Sequence, residues 1–200
     1  MRYLALGDSY TIGERVDAAE RWPVQLVSLL RQEKIEIDDP IIVAKTGWTT
    51  DELEQAIVQQ PPAGKFDWVS LLIGVNNQYR GYSSEIYRTE FRGLLARSIE
   101  FAGRHVRRVC VLSIPDWGVT PFAHGQDRSQ IAAEIDRFNA INRAETIDAG
   151  AHYIDITPNS REAANNRHLI ANDGLHPSGQ MYFQWAQLVL PIVQAELVSS

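Results

Sequence analysis

Short apolar segments, each followed by polar residues or glycine, recur along the whole chain. Runs that are apolar at consecutive positions are typical of parallel strands covered on both faces. Between these runs, apolar residues recur three or four positions apart, which indicates amphipathic helices. The pattern predicts strands at residues 3–6, 41–44, 67–73, 109–114 and 153–156, and helices at residues 22–31, 49–60, 84–103, 128–149 and from Ser178 onward.

Local signals refine these boundaries. Thr49 and Glu52 have the spacing of a capping box and place a helix start between two predicted strands. Pro191 lies inside the last helix, where it is expected to produce a kink. Residues 116–127 are rich in glycine, proline and aromatic residues and are predicted to form a loop, and residues 158–172 are predicted to be irregular or briefly helical.

The alternation of strands and helices predicts an α/β fold, with a single parallel sheet, helices on both faces and right-handed crossovers. We expect one domain over residues 1–200. The carboxyl ends of parallel strands meet at one edge of the sheet, where ligands bind in open α/β folds. The loops that follow the strands are therefore expected to gather around Ser9, which comes just after the first strand.

Composition limits the classes of partner. Hydrophobic residues make up 44% of the chain and charged residues 22%, which is ordinary for a globular protein. The net charge of −6 argues against nucleic acid or an anionic membrane surface as a partner. No apolar run approaches the ~20 residues of a membrane span, so no integral membrane association is expected. The N-terminus lacks the pattern of a signal peptide, which favours a cytoplasmic protein or one whose leader has been removed.

The single cysteine, Cys110, leaves no possibility of an internal disulfide or a multi-cysteine metal site. It lies inside the apolar run at residues 109–112, which favours a small core residue over a reactive thiol.

Ser9 follows the first predicted strand in the segment Gly7-Asp8-Ser9-Tyr10. Gly7 marks a sharp turn or a close approach of the backbone. A serine in this position has three possible roles: a nucleophile, a phosphate-binding hydroxyl, or a turn residue. The segment itself does not decide between them.

Asp173 and His176 lie far away in the sequence, in the segment Asp173-Gly174-Leu175-His176. A serine hydroxyl becomes a nucleophile when a base accepts its proton, and a carboxylate can hold that base in the required tautomer. This pair could supply both groups from one loop. An isolated Asp-x-x-His is more often a turn with a surface histidine, so the pair gains weight only from its context.

Gly47 and Asn76 each follow a predicted strand. Acyl transfer creates an oxyanion, and fixed N–H donors around it are usually the largest catalytic contribution. The backbone N–H groups of Ser9 and Gly47, together with the Asn76 side-chain amide, would supply three donors. Taken alone, Gly47 would be interpreted as a turn glycine and Asn76 as part of an Asx turn.

Taken in order, Gly7-Asp8-Ser9-Tyr10, Gly47, Gly74-Val75-Asn76 and Asp173-Gly174-Leu175-His176 resemble the four blocks of the SGNH hydrolase superfamily, the GDSL esterases and lipases. The resemblance extends from residue 3 to about residue 185. It implies a three-layer α/β/α sandwich of flavodoxin-like type with a five-stranded parallel sheet, and no metal or cofactor. The implied substrate is a small-molecule ester, and the oligomeric state is left open.

The resemblance also implies roles for individual residues. Ser9 would be the nucleophile, His176 the general base and then acid, and Asp173 the residue that orients His176. Ser9, Gly47 and Asn76 would form the oxyanion hole. The chain departs from the family pattern at Tyr10, where leucine is usual, and at Asn77, where aspartate often follows the asparagine.

Substrate contacts are expected from side chains in the loops around this site. The candidates are Tyr10, Trp48, Asn77, Tyr79 and Trp117. Arg80, near the same edge, would either meet an anionic group or be solvated. The connections are too short to contain a large mobile lid, which favours short-acyl esters, such as acetylated carbohydrates or small aryl esters. The alternatives are a lysophospholipase or thioesterase for longer acyl chains, and a flavodoxin-like module that binds phosphate or flavin without hydrolysis.

Overall fold

The computed structural model describes residues 1–198 and contains a five-stranded sheet in the order β2-β1-β3-β4-β5. All neighbouring strands are parallel. This confirms the parallel α/β sheet predicted from the sequence. The strands are β1 (Tyr3–Gly7), β2 (Ile41–Ala44), β3 (Trp68–Leu72), β4 (Val109–Leu112) and β5 (His152–Ile154).

The helices form two groups that pack separately. Helix α2 packs against α8, whereas α5 packs against α6 and α3. The sheet and these groups form three layers, as the sequence resemblance implied. The helices are α1 (Ser9–Ile12), α2 (Trp22–Gln32), α3 (Thr50–Gln59), α4 (Val75–Tyr79), α5 (Ser84–Phe101), α6 (Arg128–Ala149), α7 (Thr157–Arg161) and α8 (Gly179–Val198).

The long elements agree closely with the predicted ones, and the short elements do not. Helices α1 and α4 follow β1 and β3 directly, where the sequence indicated only turns. They contain four and five residues, which is too short for a helical period to show. The segment at residues 116–127 contains two 3₁₀ turns, and the predicted fifth strand is shifted to His152–Ile154.

The central strands β1 and β3 are buried along their whole length, whereas the edge strand β2 is only partly covered. Three tryptophans, Trp22, Trp68 and Trp185, are among the largest fully buried side chains. Cys110 is also fully buried, and burial raises the pKa of its thiol strongly, as expected of a core residue. Within residues 1–198, no helix has the length and apolar character needed to cross a membrane.

The turn after β1 is packed so closely that it leaves no room for a side chain at Gly7. A Cβ atom there would overlap the Thr11 side chain and the carbonyl oxygen of Leu72. The Leu72 oxygen belongs to the neighbouring strand β3 and cannot move without disturbing the sheet. Gly7 therefore allows β1 to lie close to β3 at the point where the chain turns into Ser9.

We expect Gly7→Ala to lower the free energy of unfolding by at least about 2 kcal/mol, because the added methyl group meets backbone atoms. Urea unfolding followed by tryptophan fluorescence measures the change. The matched control is Gly93→Ala on α5, where an added Cβ has no neighbour within 4 Å. In a helix interior that change is expected to stabilise the protein by about 0.5–1 kcal/mol. Equal effects of the two substitutions would contradict the close packing at Gly7.

Candidate active site

A cleft of about 130 Å³ lies at the carboxyl edge of the sheet. Loops that follow β1, β2 and β3 bring Ser9, Gly47 and Asn76 to it, and the segment before α8 brings His176. The segment after β4 adds Trp117 and Phe122, so that five distant parts of the sequence meet in one place. The lining residues are Ser9, Tyr10, Thr46, Gly47, Val75, Asn76, Tyr79, Trp117, Phe122, Leu175 and His176.

Ser9 is the first residue of α1 and is held by the residue before it. One oxygen of the Asp8 carboxyl group accepts the Tyr10 backbone N–H at 3.0 Å, which caps the helix. Ser9 itself is 4% exposed, so its side chain reaches solvent only through the cleft.

His176 and Asp173 form a tight pair. The Nδ1 atom of His176 lies 2.6 Å from Asp173 Oδ2. The other Asp173 oxygen accepts the backbone N–H groups of Leu175 and His176, each at 3.0 Å. Burial alone would raise the pKa of Asp173, but the hydrogen bonds from the His176 ring and from these N–H groups outweigh it and lower the pKa below its ordinary value. The pair is therefore an ionised carboxylate that fixes the imidazole through Nδ1.

This arrangement leaves His176 Nε2 as the ring nitrogen that can accept a proton from a group in the cleft. The ring packs against Tyr10, with centroids 5.3 Å apart. Within the described chain, no hydrogen bond joins Ser9 to His176, although both line the same cleft. Such contacts in unliganded active sites are often long and shorten only when substrate is bound.

The Asn76 side chain connects two of the loops at this edge. Its Nδ2 atom donates to the Trp48 carbonyl oxygen at 3.0 Å and to Asp8 Oδ2 at 3.4 Å. Both amide hydrogens therefore have acceptors. The contact with Asp8 is the longer of the two, so it is the one that an oxyanion in the cleft would most readily replace.

Asp8 is a fully buried carboxyl group next to this amide. Burial raises its pKa to about 7, although the hydrogen bonds from the Tyr10 N–H and the Asn76 amide act in the opposite direction. The sequence marked Asp8 only as part of a turn motif. Its link to Asn76 joins positions 68 residues apart, and no local pattern could reveal it.

Three of the five expected substrate contacts lie at the cleft: Tyr10, Tyr79 and Trp117. Tyr79 packs edge-on against Trp117, with centroids 5.3 Å apart. A third ring, Phe122, lies 5.9 Å from Trp117 and was not predicted, because it belongs to the irregular segment at residues 116–127. We call Tyr79, Trp117 and Phe122 the aromatic wall.

Trp48 and Asn77 do not line the cleft. Asn77 is fully buried; its Oδ1 accepts the Thr50 N–H at 3.1 Å and its Nδ2 donates to Thr50 Oγ1 at 2.6 Å. The Trp48 side chain is partly buried and packs against the core, and it is the backbone oxygen of this residue that approaches Asn76. The full burial of Asn77 corrects the expectation that this residue contacts substrate, whereas contact between Trp48 and substrate stays a prediction.

Residues 5–182 match the GDSL-like Lipase/Acylhydrolase family. The lipase/acylhydrolase from Enterococcus faecalis is 20% identical, with a TM-score of 0.74 over 98% of this chain and 96% of that one. The acetylxylan esterase Axe2 from Geobacillus stearothermophilus is 18% identical, with a TM-score of 0.70 over 98% and 93%. No curated protein sequence matches the chain.

At identities of 18–20%, the solved structures show only that the fold is shared. The match over residues 5–182 shows that the chain belongs to the family. The fold is the α/β fold of the SGNH hydrolases. The chain belongs to the GDSL-like lipase/acylhydrolase family and is a carboxylic ester hydrolase. Its substrates are small-molecule esters, and the alternative of a binding module without hydrolytic activity is set aside.

The buried Asp8 carboxyl group makes a testable contribution to pH dependence. Its pKa is about 7 in the folded protein against an ordinary 3.8, so between these values the folded state binds more protons than the unfolded state. Stability must therefore fall as the pH rises through this window. Relative to Asp8→Asn, we expect the free energy of unfolding of the wild type to fall by about 2–3 kcal/mol between pH 5 and pH 8.

Urea unfolding of both proteins at pH 5, 6, 7 and 8 measures this difference. The lowered pKa of Asp173 affects stability only at lower pH, below its ordinary value, and does not interfere. Asp148→Asn, at an exposed position on α6, is the matched control and is expected to follow the wild type. Parallel pH curves for wild type and Asp8→Asn would contradict the assignment.

Proposed function

We propose that Ser9 is the nucleophile of this ester hydrolase, His176 its general base and acid, and Asp173 the residue that orients His176. The observation that carries the proposal is the 2.6 Å contact between His176 Nδ1 and Asp173, in a loop that places the histidine in the same cleft as Ser9. We also propose that residues 1–200 form one catalytic domain, supported by the single sheet.

In the acylation step, His176 Nε2 accepts the Ser9 hydroxyl proton while Ser9 Oγ attacks the ester carbonyl carbon. The C=O electron pair moves to the oxygen, which becomes the oxyanion of a tetrahedral intermediate. The donors that face it are the backbone N–H groups of Ser9 and Gly47 and one N–H of Asn76. The Asp173 carboxylate stabilises the imidazolium formed in this step.

Collapse of the intermediate re-forms the carbonyl and breaks the bond to the alcohol oxygen. His176 gives its proton to this oxygen, and the alcohol leaves an acyl group on Ser9. A water molecule then occupies the leaving-group position and loses a proton to His176 as it attacks the acyl carbon. The second tetrahedral intermediate collapses to the carboxylic acid as the bond to Ser9 Oγ breaks and His176 returns its proton to this oxygen, which restores free Ser9 and neutral His176.

We propose short-acyl esters as the substrates. The cleft, at about 130 Å³, is smaller than the roughly 300–1,000 Å³ of pockets that enclose drug-sized ligands. Its lining is mostly apolar and includes the aromatic wall. These features suit a small acyl group and an alcohol with a flat or apolar face. One of the structural relatives is an acetylxylan esterase, an enzyme named for a short-acyl ester.

We expect Ser9→Ala to lower kcat for p-nitrophenyl acetate by a factor of at least about 10⁴, because no covalent intermediate can form. A fluorophosphonate probe followed by mass mapping should modify the wild type at Ser9, and His176→Ala should abolish this labelling. Ser28→Ala, at an exposed position on α2, is the matched control and should retain full activity and labelling. Comparable turnover by wild type and Ser9→Ala would refute the nucleophile assignment.

The substrate proposal is tested with p-nitrophenyl esters of two to sixteen carbons. We expect kcat/KM to be highest at two to four carbons and to fall by at least about tenfold by eight carbons, because the cleft has no room for a longer chain. An optimum at twelve to sixteen carbons would instead support a lysophospholipase or thioesterase and overturn the short-acyl proposal.

A further inference from the structure

Helix α4 and Arg80, the residue that caps its C-terminal end, contact the loop at residues 45–49 through two side chains. Asn76 donates to the carbonyl oxygen of Trp48 at 3.0 Å, and Arg80 Nη2 donates to the carbonyl oxygen of Gly47 at 2.6 Å. Positions four apart lie on the same side of a helix, so Asn76 and Arg80 reach consecutive peptide groups. We call residues 45–49 the oxyanion loop.

We propose that Arg80 is a positioning residue: by holding the Gly47 carbonyl group it fixes the orientation of this residue, so that the N–H of Gly47 points at the reacting carbonyl oxygen. This inference rests on the proposed function and adds a residue that never touches substrate. It differs from the role expected from the sequence, in which Arg80 met an anionic group or was solvated.

Gly47 needs such a restraint because of its conformation. Its φ angle is +85°, a region that glycine enters readily, and an added Cβ would meet only Arg80 Nη2, at 3.6 Å. The Trp48 N–H donates to the Lys45 carbonyl oxygen at 3.2 Å and closes a turn around Gly47, and on the side where a Cβ would stand the neighbouring side chain is that of Arg80. A hydrogen bond to the Gly47 carbonyl restricts rotation of the residue whose N–H must be aimed.

Glu52 completes the restraint from the opposite side of the loop. Its carboxylate lies 3.3 Å from Arg80 Nη1 and accepts the backbone N–H of Thr49 at 3.0 Å. The Thr49 hydrogen bond is the main reason that the pKa of Glu52 lies below its ordinary value, and Arg80 lowers it further. One guanidinium thus connects the start of α3 with the middle of the oxyanion loop.

The two contacts match the planar fork of an arginine and not the single charge of a lysine. Arg80 donates in two directions, to a carbonyl oxygen and to a carboxylate. A lysine would keep the positive charge but has only one nitrogen to share between Gly47 and Glu52. Arg80→Lys therefore distinguishes a role that needs both hydrogen bonds of the arginine from a role that needs only a positive charge near the cleft.

The test compares Arg80→Gln and Arg80→Lys with Arg97→Gln. Arg97 forms a 2.7 Å pair with Glu54 that resembles the Arg80–Glu52 pair in exposure: the side chains are 39% and 35% exposed, against 42% and 38%. The control removes an arginine–glutamate pair between α5 and α3 and leaves the oxyanion loop intact. All proteins are assayed with p-nitrophenyl acetate and with the anionic ester p-nitrophenyl hemisuccinate.

We expect Arg80→Gln to lower kcat by about 5- to 50-fold for both esters with KM within twofold, since a displaced oxyanion donor weakens transition-state binding. Arg80→Lys should recover less than half of the lost activity, and Arg97→Gln should match the wild type. The thermal unfolding midpoint of Arg80→Gln should be close to that of Arg97→Gln. A loss of activity in Arg80→Gln alone then reflects a displaced donor and not a loss of stability.

Two results would overturn the inference. The first is a kcat for Arg80→Gln equal to that of Arg97→Gln. The second is a rise in KM confined to the hemisuccinate, which would show that Arg80 binds an anionic substrate group. If Arg80→Gln does not fold, Glu52→Gln replaces it, with an expected two- to tenfold loss in kcat, and unchanged kcat would again reject the inference. Failure of the proposed function is distinguishable, because it would appear as an active Ser9→Ala protein.

Discussion

The geometry of the site depends on one side-chain amide, that of Asn76. It follows β3 and donates both to Asp8, at the end of β1, and to the Trp48 carbonyl, beyond the end of β2. Neighbouring strands of a parallel sheet fix the positions of their ends, but not the directions of the loops beyond them. A hydrogen bond contributes only about 1 kcal/mol to stability, so the importance of this amide lies in the orientation of the loops.

Asp8 is the less usual partner of this amide. A carboxyl group that is fully buried is costly as an anion, and burial raises the pKa of Asp8 to about 7, so that the neutral form predominates below pH 7 and is about half populated at pH 7. The negative charge that develops on a substrate oxygen at Asn76 meets less repulsion from a neutral Asp8 than from an anion. Burial of Asp8 thus lowers the electrostatic cost of forming an oxyanion next to a carboxyl group.

Patterns within one segment were enough to predict the sheet and the long helices. Consecutive apolar residues identified β1 and β3, and helical spacing identified α5 and α6 with the bounds nearly correct. Helices α1 and α4 were missed because neither reaches two turns. These two helices contain Ser9 and Asn76, which line the cleft. Part of the site therefore lies on elements too short for a helical period to predict.

Part of the site could be predicted because its residues belong to motifs that occur in a fixed order in a known family. These residues are Ser9, Gly47, Asn76, Asp173 and His176. These residues meet at one edge of the sheet, although their roles stay proposals. Contacts between distant segments could not be predicted. Asn77 was expected to contact substrate but is buried and hydrogen-bonded to Thr50. Phe122 lines the cleft, although it belongs to a segment in which no periodic pattern of apolar residues could predict its position.

The aromatic wall and the catalytic histidine proposed here are mechanically connected. The backbone N–H of Phe122 donates to the carbonyl oxygen of Gly174 at 2.9 Å, and Gly174 lies between Asp173 and His176 in the same tight loop. The backbone from which Phe122 projects is thus fixed to the loop that holds the imidazole. One short stretch of backbone therefore supports both the aromatic wall and the Asp173–His176 pair.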